Sequence, residues 1–275
     1  FICFIIRIII ERFSNIYIPK VIHKVYIDLS MRLPKTLTNE IQVAHNSWKI
    51  QNPGYRIKYY DGNDCEKYLL EHFGERHLNA FTKINAFAFK CDFFRYCLLY
   101  NEGGVYTDWK TVCIKPINSL LKRDTIWASA WDDVVYEGQP YMLNGFIVSE
   151  SKSPILKIAL DMCLYNIENN VYGTSPLEPT GPKLLGKAFL EHYPQYGARH
   201  GELINENGIS IGRGVNLPKK KKHKKPTHLY FSDDFYLLTK CETCSQDQNW
   251  NDGNNYNTIW HHQDLYGIMS LKNLS

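Results

Sequence analysis

Apolar positions along this chain alternate between two periods. "KVIHKVYI", residues 20–27, is a β-branched apolar run of strand length. "TLTNEIQVAHNSWKIQ", 36–51, spaces its apolar residues at about 3.6, with Thr38 or Asn39 placed to cap a helix that Asn52-Pro53-Gly54 ends. "YRIKYYD", 55–61, alternates as a second strand, and "NDCEKYLLEHF", 63–73, returns to the helical period. "NAFAFKCDFFRYCLLYNEGG", 85–104, reads as a helix with Asn85 as N-cap and two glycines as its stop. "GVYTD", 104–108, "TIWASAW", 125–131, and "NGFIVSE", 144–150, read as strands. "SPILKIALDMCLYNIENN", 153–170, is a long amphipathic helix, and "TGPKLLGKAFLEHY", 180–193, puts Thr180 and Pro182 where a helix begins. Beyond about residue 200 the pattern weakens into loops and short strands. This alternation predicts an α/β fold, a mainly parallel sheet covered by helices.

Composition changes the picture in three places. Hydrophobic residues at 44% and charged residues at 22% of 275 are those of a globular chain with a sizeable core. The net charge of +4 comes from "KKKKHKK", 219–225, and falls to −2 without its six lysines. The body of the protein is therefore near neutral, which argues against a nucleic-acid partner. The run reads as a solvated surface loop outside the active site; a phosphate-rich partner, an anionic membrane or a localisation signal are its functional alternatives. The eight cysteines form no disulfide framework: Cys91 and Cys97 are six apart on one helix, and "CETC", 241–244, is half a zinc site with only His223 and His228 nearby. The segment "FICFIIRIII", 1–10, is too short to span a bilayer and is interrupted by Arg7. It reads as the tail of an anchor or signal segment, or as an amphipathic stretch packed on the domain.

The candidate chemistry sits around "GGVYTDWKTV", 103–112. In open α/β sheets ligands bind beyond the carboxyl ends of strands, where Asp108 lies. Asp92 and Arg95 are three apart on the helix that leads into the Gly-Gly turn, so they share a face. The three groups can converge on one crevice, the carboxylates accepting hydrogen bonds from sugar hydroxyls and the guanidinium holding phosphate or hydroxyl oxygens. The plainer alternative for Asp92 and Arg95 is a surface ion pair worth less than ~1 kcal/mol.

"IPKVIHKVYI", "NPGYRIKYYD", "AFKCDFFRY", "NEGGVYTDWKTVCIKP", "NGFI" and "TGP" occur here in the order that resembles the glycosyltransferases with the DXD sugar-binding region. These are relatives of the yeast initiating α-1,6-mannosyltransferase and of capsular polysaccharide enzymes, with the large clostridial glucosylating toxins as more distant kin. The resemblance covers roughly residues 18 to 185. It implies a GT-A-like, Rossmann-type mixed sheet flanked by helices, with a looser C-terminal part. The organisation would be an N-terminal apolar segment, 1–17, and a single domain, 18–275, split into a nucleotide-sugar half, 18–150, and an acceptor half, 151–275. It further implies transfer of a hexose from a UDP- or GDP-sugar to a glycan or glycoprotein acceptor with retention. The implied setting is a membrane-associated enzyme of the ER or Golgi, with Mn²⁺ or Mg²⁺ as cofactor.

Residue by residue, the resemblance places Tyr26 against the nucleobase and Phe87 and Ala88 along the base pocket. Asp92 and Arg95 would hold donor-sugar hydroxyls and phosphate, and Gly104 of the Gly-Gly turn joins the donor-binding set. Asp108 matches the first acid of the DXD motif, touching ribose and metal, and Asn144 lies near the donor sugar. "IWHHQDLYGI", 259–268, supplies His261 and His262, of which His262 is the candidate metal or phosphate ligand, although the Ser-Trp that often follows in the family is missing.

Lys110 is the departure, because the family carries a second metal-binding acid there. If the strand continues, Asp108 and Lys110 point to the same side. Three readings follow. Lys110 replaces the metal by contacting the diphosphate; or the metal persists on Asp108 with Asp132, Asp133 or a C-terminal histidine; or catalysis is lost and the chain binds nucleotide sugar or scaffolds a partner.

Overall fold

The computed structural model describes residues 18–122, 124–132, 139–197, 203–216, 227–232, 235–238 and 254–267. The apolar segment 1–17, the lysine run, the Cys-Glu-Thr-Cys motif and Asp133 lie outside them.

The first half of the chain builds β1 (Val21–Val25), α1 (Asn39–Gln51), β2 (Arg56–Tyr60), α2 (Gly62–Phe73), α3 (Glu75–Lys83), α4 (Phe87–Glu102), β3 (Gly104–Thr107), β4 (Val112–Cys113), β5 (Trp127–Trp131) and β6 (Phe146–Ser149). The second adds α5 (Pro154–Glu168), α6 (Pro182–His192), β7 (Ile204–Glu206), β8 (Ile209–Asn216), β9 (Thr227–Ser232), β10 (Phe235–Leu238) and α7 (Tyr256–His261). The ten strands join one sheet in the order β2-β1-β3-β6-β5-β8-β9-β10-β4, with β7 paired to β8.

The sheet is mixed rather than mainly parallel. β2, β1 and β3 run parallel, as helices α1 to α4 require of the connections between them. No helix separates β5 from β6 among the described residues, and they pair antiparallel, as do β3 and β6. A further parallel pair, β5 with β8, joins strands from the two halves of the chain.

Alternation along the strands divides the core between the two faces of the sheet. Ile22, Val105, Ala128, Ala130, Phe146 and Val148 meet Trp48 of α1 on one face. Val25, Tyr106, Trp127, Trp131 and Ile147 face the larger core built with α4, α5 and α6. Both sides of the central strands are thus covered, and β1, β3, β5 and β6 are buried along their whole length.

Helix starts follow local chemistry where the cap is polar. Thr38 accepts the Ile41 N–H, and Asp61 forms a reciprocal box with Asp64, which starts α2 at Gly62. The nine-residue α3 falls in a stretch to which the sequence pattern assigned no element. Asn85 does not cap α4. Its side chain donates to the carbonyl of Asp264 at 2.7 Å, and the orphan N–H of Phe87 is taken by Asn254 Oδ1 at 2.8 Å. The amino group of Asn254 completes the bridge by donating to the Asn85 carbonyl at 3.0 Å. A residue far along the chain therefore does what sequence proximity assigned to Asn85. Thr180 likewise is not a cap: α6 starts after Gly181 with no side-chain cap.

Asn254 is buried, so Asn254→Ala leaves the Phe87 N–H without a partner. The expected loss is about 1–3 kcal/mol of unfolding free energy, read from urea denaturation. A loss within experimental error would mean that water replaces the amide there.

Candidate active site

Helix α4 runs back along β3, because only the Gly103-Gly104 turn separates them. The first half of α4 therefore lies beside the carboxyl end of β3. Gly104 has φ +100°, and a Cβ there would meet Val21 Cγ1 at 2.7 Å and the Val21 carbonyl oxygen at 2.8 Å. Glycine is required by the turn and by the close passage of β1. Gly104 stands at the amino end of β3, the opposite end from Asp108, so its place is that of a backbone turn.

At the carboxyl end, Arg95 gathers the other groups. Its Nη2 lies 3.1 Å from Asp92 Oδ1, and its Nη1 lies 3.3 Å from Asp108 Oδ1 and donates to the Asn144 carbonyl at 2.7 Å. Its Nε donates to the Cys91 carbonyl at 3.1 Å, and the guanidinium carbon stands 4.4 Å from the centre of the Tyr106 ring. Asp92 accepts from Asn144 Nδ2 at 2.8 Å on Oδ1 and from Thr180 Oγ1 at 3.1 Å on Oδ2. The i,i+3 ion pair exists, but it is buried rather than on the surface: the side chains of Arg95 and Asp92 are 6% and 11% exposed.

Burial pushes the Asp92 carboxyl up to about 6, against the opposing pull of Arg95 and its hydrogen bonds. Burial also opposes the charge on Arg95, but Tyr106, Asp92 and Asp108 outweigh it and hold the guanidinium protonated. Asp108, by contrast, keeps half of its side chain exposed. Its Oδ1 accepts from Tyr106 Oη at 3.2 Å as well as from Arg95. A Cβ on Gly145 would stand 2.5 Å from Asp108 Oδ2, so only glycine leaves room for this carboxylate.

β3 ends at Thr107, and residues 108–111 form a turn, the Thr111 N–H donating to the Asp108 carbonyl at 3.1 Å. The extended geometry that would put Asp108 and Lys110 on one side of a strand is therefore absent. The carbonyls of the turn face inward, where side chains satisfy them. Lys24 Nζ donates to Asp108 O at 3.0 Å, His45 Nε2 to Trp109 O at 3.2 Å and Trp48 Nε1 to Thr111 O at 2.8 Å. A carbonyl can only accept, so His45 carries its proton on Nε2. Burial, with Lys24 close by, lowers His45 to about 4 and keeps it neutral. Lys24 is fully buried on β1 beside the Trp48 ring, and burial lowers it to about 7 against the attraction of Asp108.

The remaining sequence candidates fall as follows. Tyr26, half-buried just past β1, packs its ring 5.1 Å from that of Trp109. Phe87 is a buried member of the main core, and Ala88 packs partly buried against it. Lys110 is half-buried in the turn. His262 is exposed at the end of α7. Lys24, His45, Trp48, Tyr106, Gly145 and Thr180 are the site residues that the sequence reading missed. Lys24 is a charge inside an apolar run, and Tyr106, Gly145 and Thr180 lie within the quoted motifs "GGVYTD", "NGFI" and "TGP", whereas His45 and Trp48 on α1 carried no signal. A cavity of about 470 Å³ between α5 and α6 is lined by Met162, Tyr165 and Leu184 and by none of the candidate residues.

Among the described residues no three His, Cys, Asp or Glu side chains gather as metal ligands. The Asp108 carboxylate already bonds Arg95, and Lys24 donates to the Asp108 backbone carbonyl.

Linkage gives Lys24 a measurable signature. The unfolded chain holds the Lys24 proton up to an ordinary 10.5, the folded chain only up to about 7. Between these values unfolding takes up a proton, so rising pH favours the folded state. Wild type should gain stability over Lys24→Met across that window, read as urea midpoints at its two ends. A difference that does not change with pH would show that the ammonium stays charged in the fold.

Comparison with known proteins bears on the family and the fold. Residues 25–127 match the family described as the glycosyltransferase sugar-binding region containing the DXD motif. An uncharacterized glycosyltransferase of Acanthamoeba polyphaga mimivirus is 27% identical over 177 residues, covering 64% of this chain and 66% of that protein. The initiation-specific α-1,6-mannosyltransferase of Schizosaccharomyces pombe is 28% identical over 89 residues, covering 31% of this chain and 22% of its own length. The chain thus spans just under two thirds of the viral relative and about a fifth of the yeast one. Among solved structures, the PaToxG glycosyltransferase superposes with a TM-score of 0.51 at 20% identity, over 64% of this chain and 70% of that one, which shows a shared GT-A fold. Residues 25–127 thus match the glycosyltransferase sugar-binding region containing the DXD motif, and the fold around them is that of a GT-A glycosyltransferase.

Proposed function

We propose that the protein transfers a hexose from a UDP- or GDP-sugar to a glycan or glycoprotein acceptor, with retention, and that Lys110 supplies at the diphosphate the positive charge that a metal supplies in its relatives. The observation that carries this reading is the half-exposed Asp108 carboxylate, fixed by buried Arg95 at the carboxyl end of a parallel strand within the family-matching segment. A carboxylate so held can accept hydrogen bonds from ribose or sugar hydroxyls.

In this reading Asp92 and Arg95 act by position. Their polar atoms are engaged with each other, with Asn144 and with Thr180, and they keep Asp108 aimed. Lys110 follows Asp108 by two residues in the same turn, and in this reading its ammonium meets the leaving diphosphate, since preorganised positive charge stabilises a developing anion. The bond from the anomeric carbon to the diphosphate breaks with its electron pair leaving on the phosphate oxygen, the acceptor hydroxyl oxygen bonds that carbon, and the hydroxyl proton passes to the leaving diphosphate. The relatives named as mannosyltransferases support the substrate class. Association with a membrane of the secretory pathway through residues 1–17 belongs to the same proposal. Among the described residues no helix is long and apolar enough to cross a membrane.

Calorimetric titration of UDP- and GDP-hexoses, with EDTA or with Mn²⁺, tests the reading. Binding is expected to survive chelation, and Lys110→Ala should weaken it about ten- to a hundredfold, as loss of one charge-assisted contact does. Binding that requires Mn²⁺ would overturn the charge-replacement step. Nucleotide-sugar binding without transfer to any glycan acceptor would favour a binding protein instead.

The same titration applied to Gly145→Ala probes the carboxylate. A methyl group 2.5 Å from Asp108 Oδ2 must displace it, so donor affinity should drop at least tenfold while the thermal midpoint stays close to wild type. Unchanged affinity would remove Asp108 from the donor site.

A further inference from the structure

Trp109 stands in sequence between the two residues that matter most to the proposed chemistry, and its ring packs in a group of aromatics. The indole lies 5.1 Å from the Tyr26 ring at 44°, 5.8 Å from Tyr59 at 77° and 4.4 Å from His45 at 86°. Tyr59 and Tyr26 lie at the carboxyl ends of β2 and β1, and Trp109 just beyond β3. These are the three adjacent parallel strands of the sheet. The three rings therefore gather at the carboxyl ends of these strands, the end at which Asp108 lies. All three are only half-buried, whereas His45 behind them is buried. His45 also fixes the backbone of Trp109 by donating to its carbonyl at 3.2 Å, so the ring is held in place before any ligand arrives.

A rigid, half-exposed aromatic group at the same strand ends as a carboxylate suits a ligand that is flat at one end and hydroxylated at the other. We infer that Trp109 is a specificity-determining residue, and that its indole, docked on Tyr26, is the surface on which the donor's nucleobase stacks. The inference rests on the glycosyltransferase reading above and extends it. Tyr26 alone does not make the base site: its ring is already in contact with Trp109, so a base approaching Tyr26 meets the indole as well. The residue between Asp108 and Lys110 then couples base recognition to the turn that would hold ribose and diphosphate.

Indole emission reports this directly. Trp48, Trp127 and Trp131, three of the six tryptophans, are fully buried and shielded from a stacking base. UDP, GDP and inorganic pyrophosphate are titrated into the full chain, each followed by fluorescence and by calorimetry. The nucleotide that binds should quench emission saturably, with the affinity found calorimetrically, and pyrophosphate should not quench. Trp109→Phe, which keeps a ring against Tyr26 and Tyr59, should abolish the quenching. Trp109→Ala should weaken nucleotide binding about five- to a hundredfold, the range of base–aromatic stacking, and leave pyrophosphate binding unchanged. A nucleotide that binds wild type without quenching, or whose quenching persists in Trp109→Phe, overturns the inference and leaves the glycosyltransferase reading standing. That wild-type readout holds even if a variant fails to fold. Absence of binding by any UDP- or GDP-sugar would instead remove the glycosyltransferase reading, and this inference with it.

Discussion

The buried guanidinium of Arg95 is the constraint on which the rest of the site depends. A charge with only 6% of its side chain exposed is tolerable only when its donors are satisfied and an anion lies close. Arg95 meets that demand with Asp92, Asp108, the carbonyls of Cys91 and Asn144 and the face of Tyr106. These partners come from three parts of the fold: helix α4 itself, the end of β3, and the loop before β6. The guanidinium thus ties a helix to two strands at the point where the crevice opens. Removing either side of such a pair leaves a buried charge uncompensated, which in general costs about 3–5 kcal/mol.

A second constraint comes from the turn at 108–111. Leaving the sheet, this segment loses the ladder partners that β3 had, and its carbonyls face a low-dielectric interior. Unmet, each would cost about 1–3 kcal/mol. Lys24, His45 and Trp48 meet three of them, from β1 and from one face of α1. The tightness of this arrangement explains the lowered Lys24 and His45: both are enclosed so that their N–H groups reach backbone oxygen. It also explains why a turn carrying the proposed chemistry can be rigid without being a strand.

The two constraints together set the electrostatics of the crevice. The half-exposed Asp108 carboxylate shares the Arg95 guanidinium with buried Asp92, and Lys24 bonds the Asp108 carbonyl. The exchange of an acid for Lys110 is consistent with the buried ammonium of Lys24, because both move the local charge in the same direction.

The sequence by itself determined the order and type of most elements, since hydrophobic period and turn residues are local properties. "KVIHKVYI", "YRIKYYD" and "GVYTD" read as the strands that became β1, β2 and β3, and the Gly-Gly stop fixed the return from α4 to β3. The i,i+3 spacing of Asp92 and Arg95 was likewise legible, because a helix places those residues on one face. Tertiary structure decided what contact across the chain decides. It buried that pair, which spacing alone cannot show. It capped α4 with Asn254 instead of Asn85, gave Thr180 to Asp92 instead of to α6, and made most of the sheet beyond β3 antiparallel. It also turned the backbone after Thr107, so that Asp108 and Lys110 are neighbours in a turn. The reason is common to all of these: a polar group removed from water takes whichever partner the packing brings within about 3 Å, and sequence separation does not enter that choice.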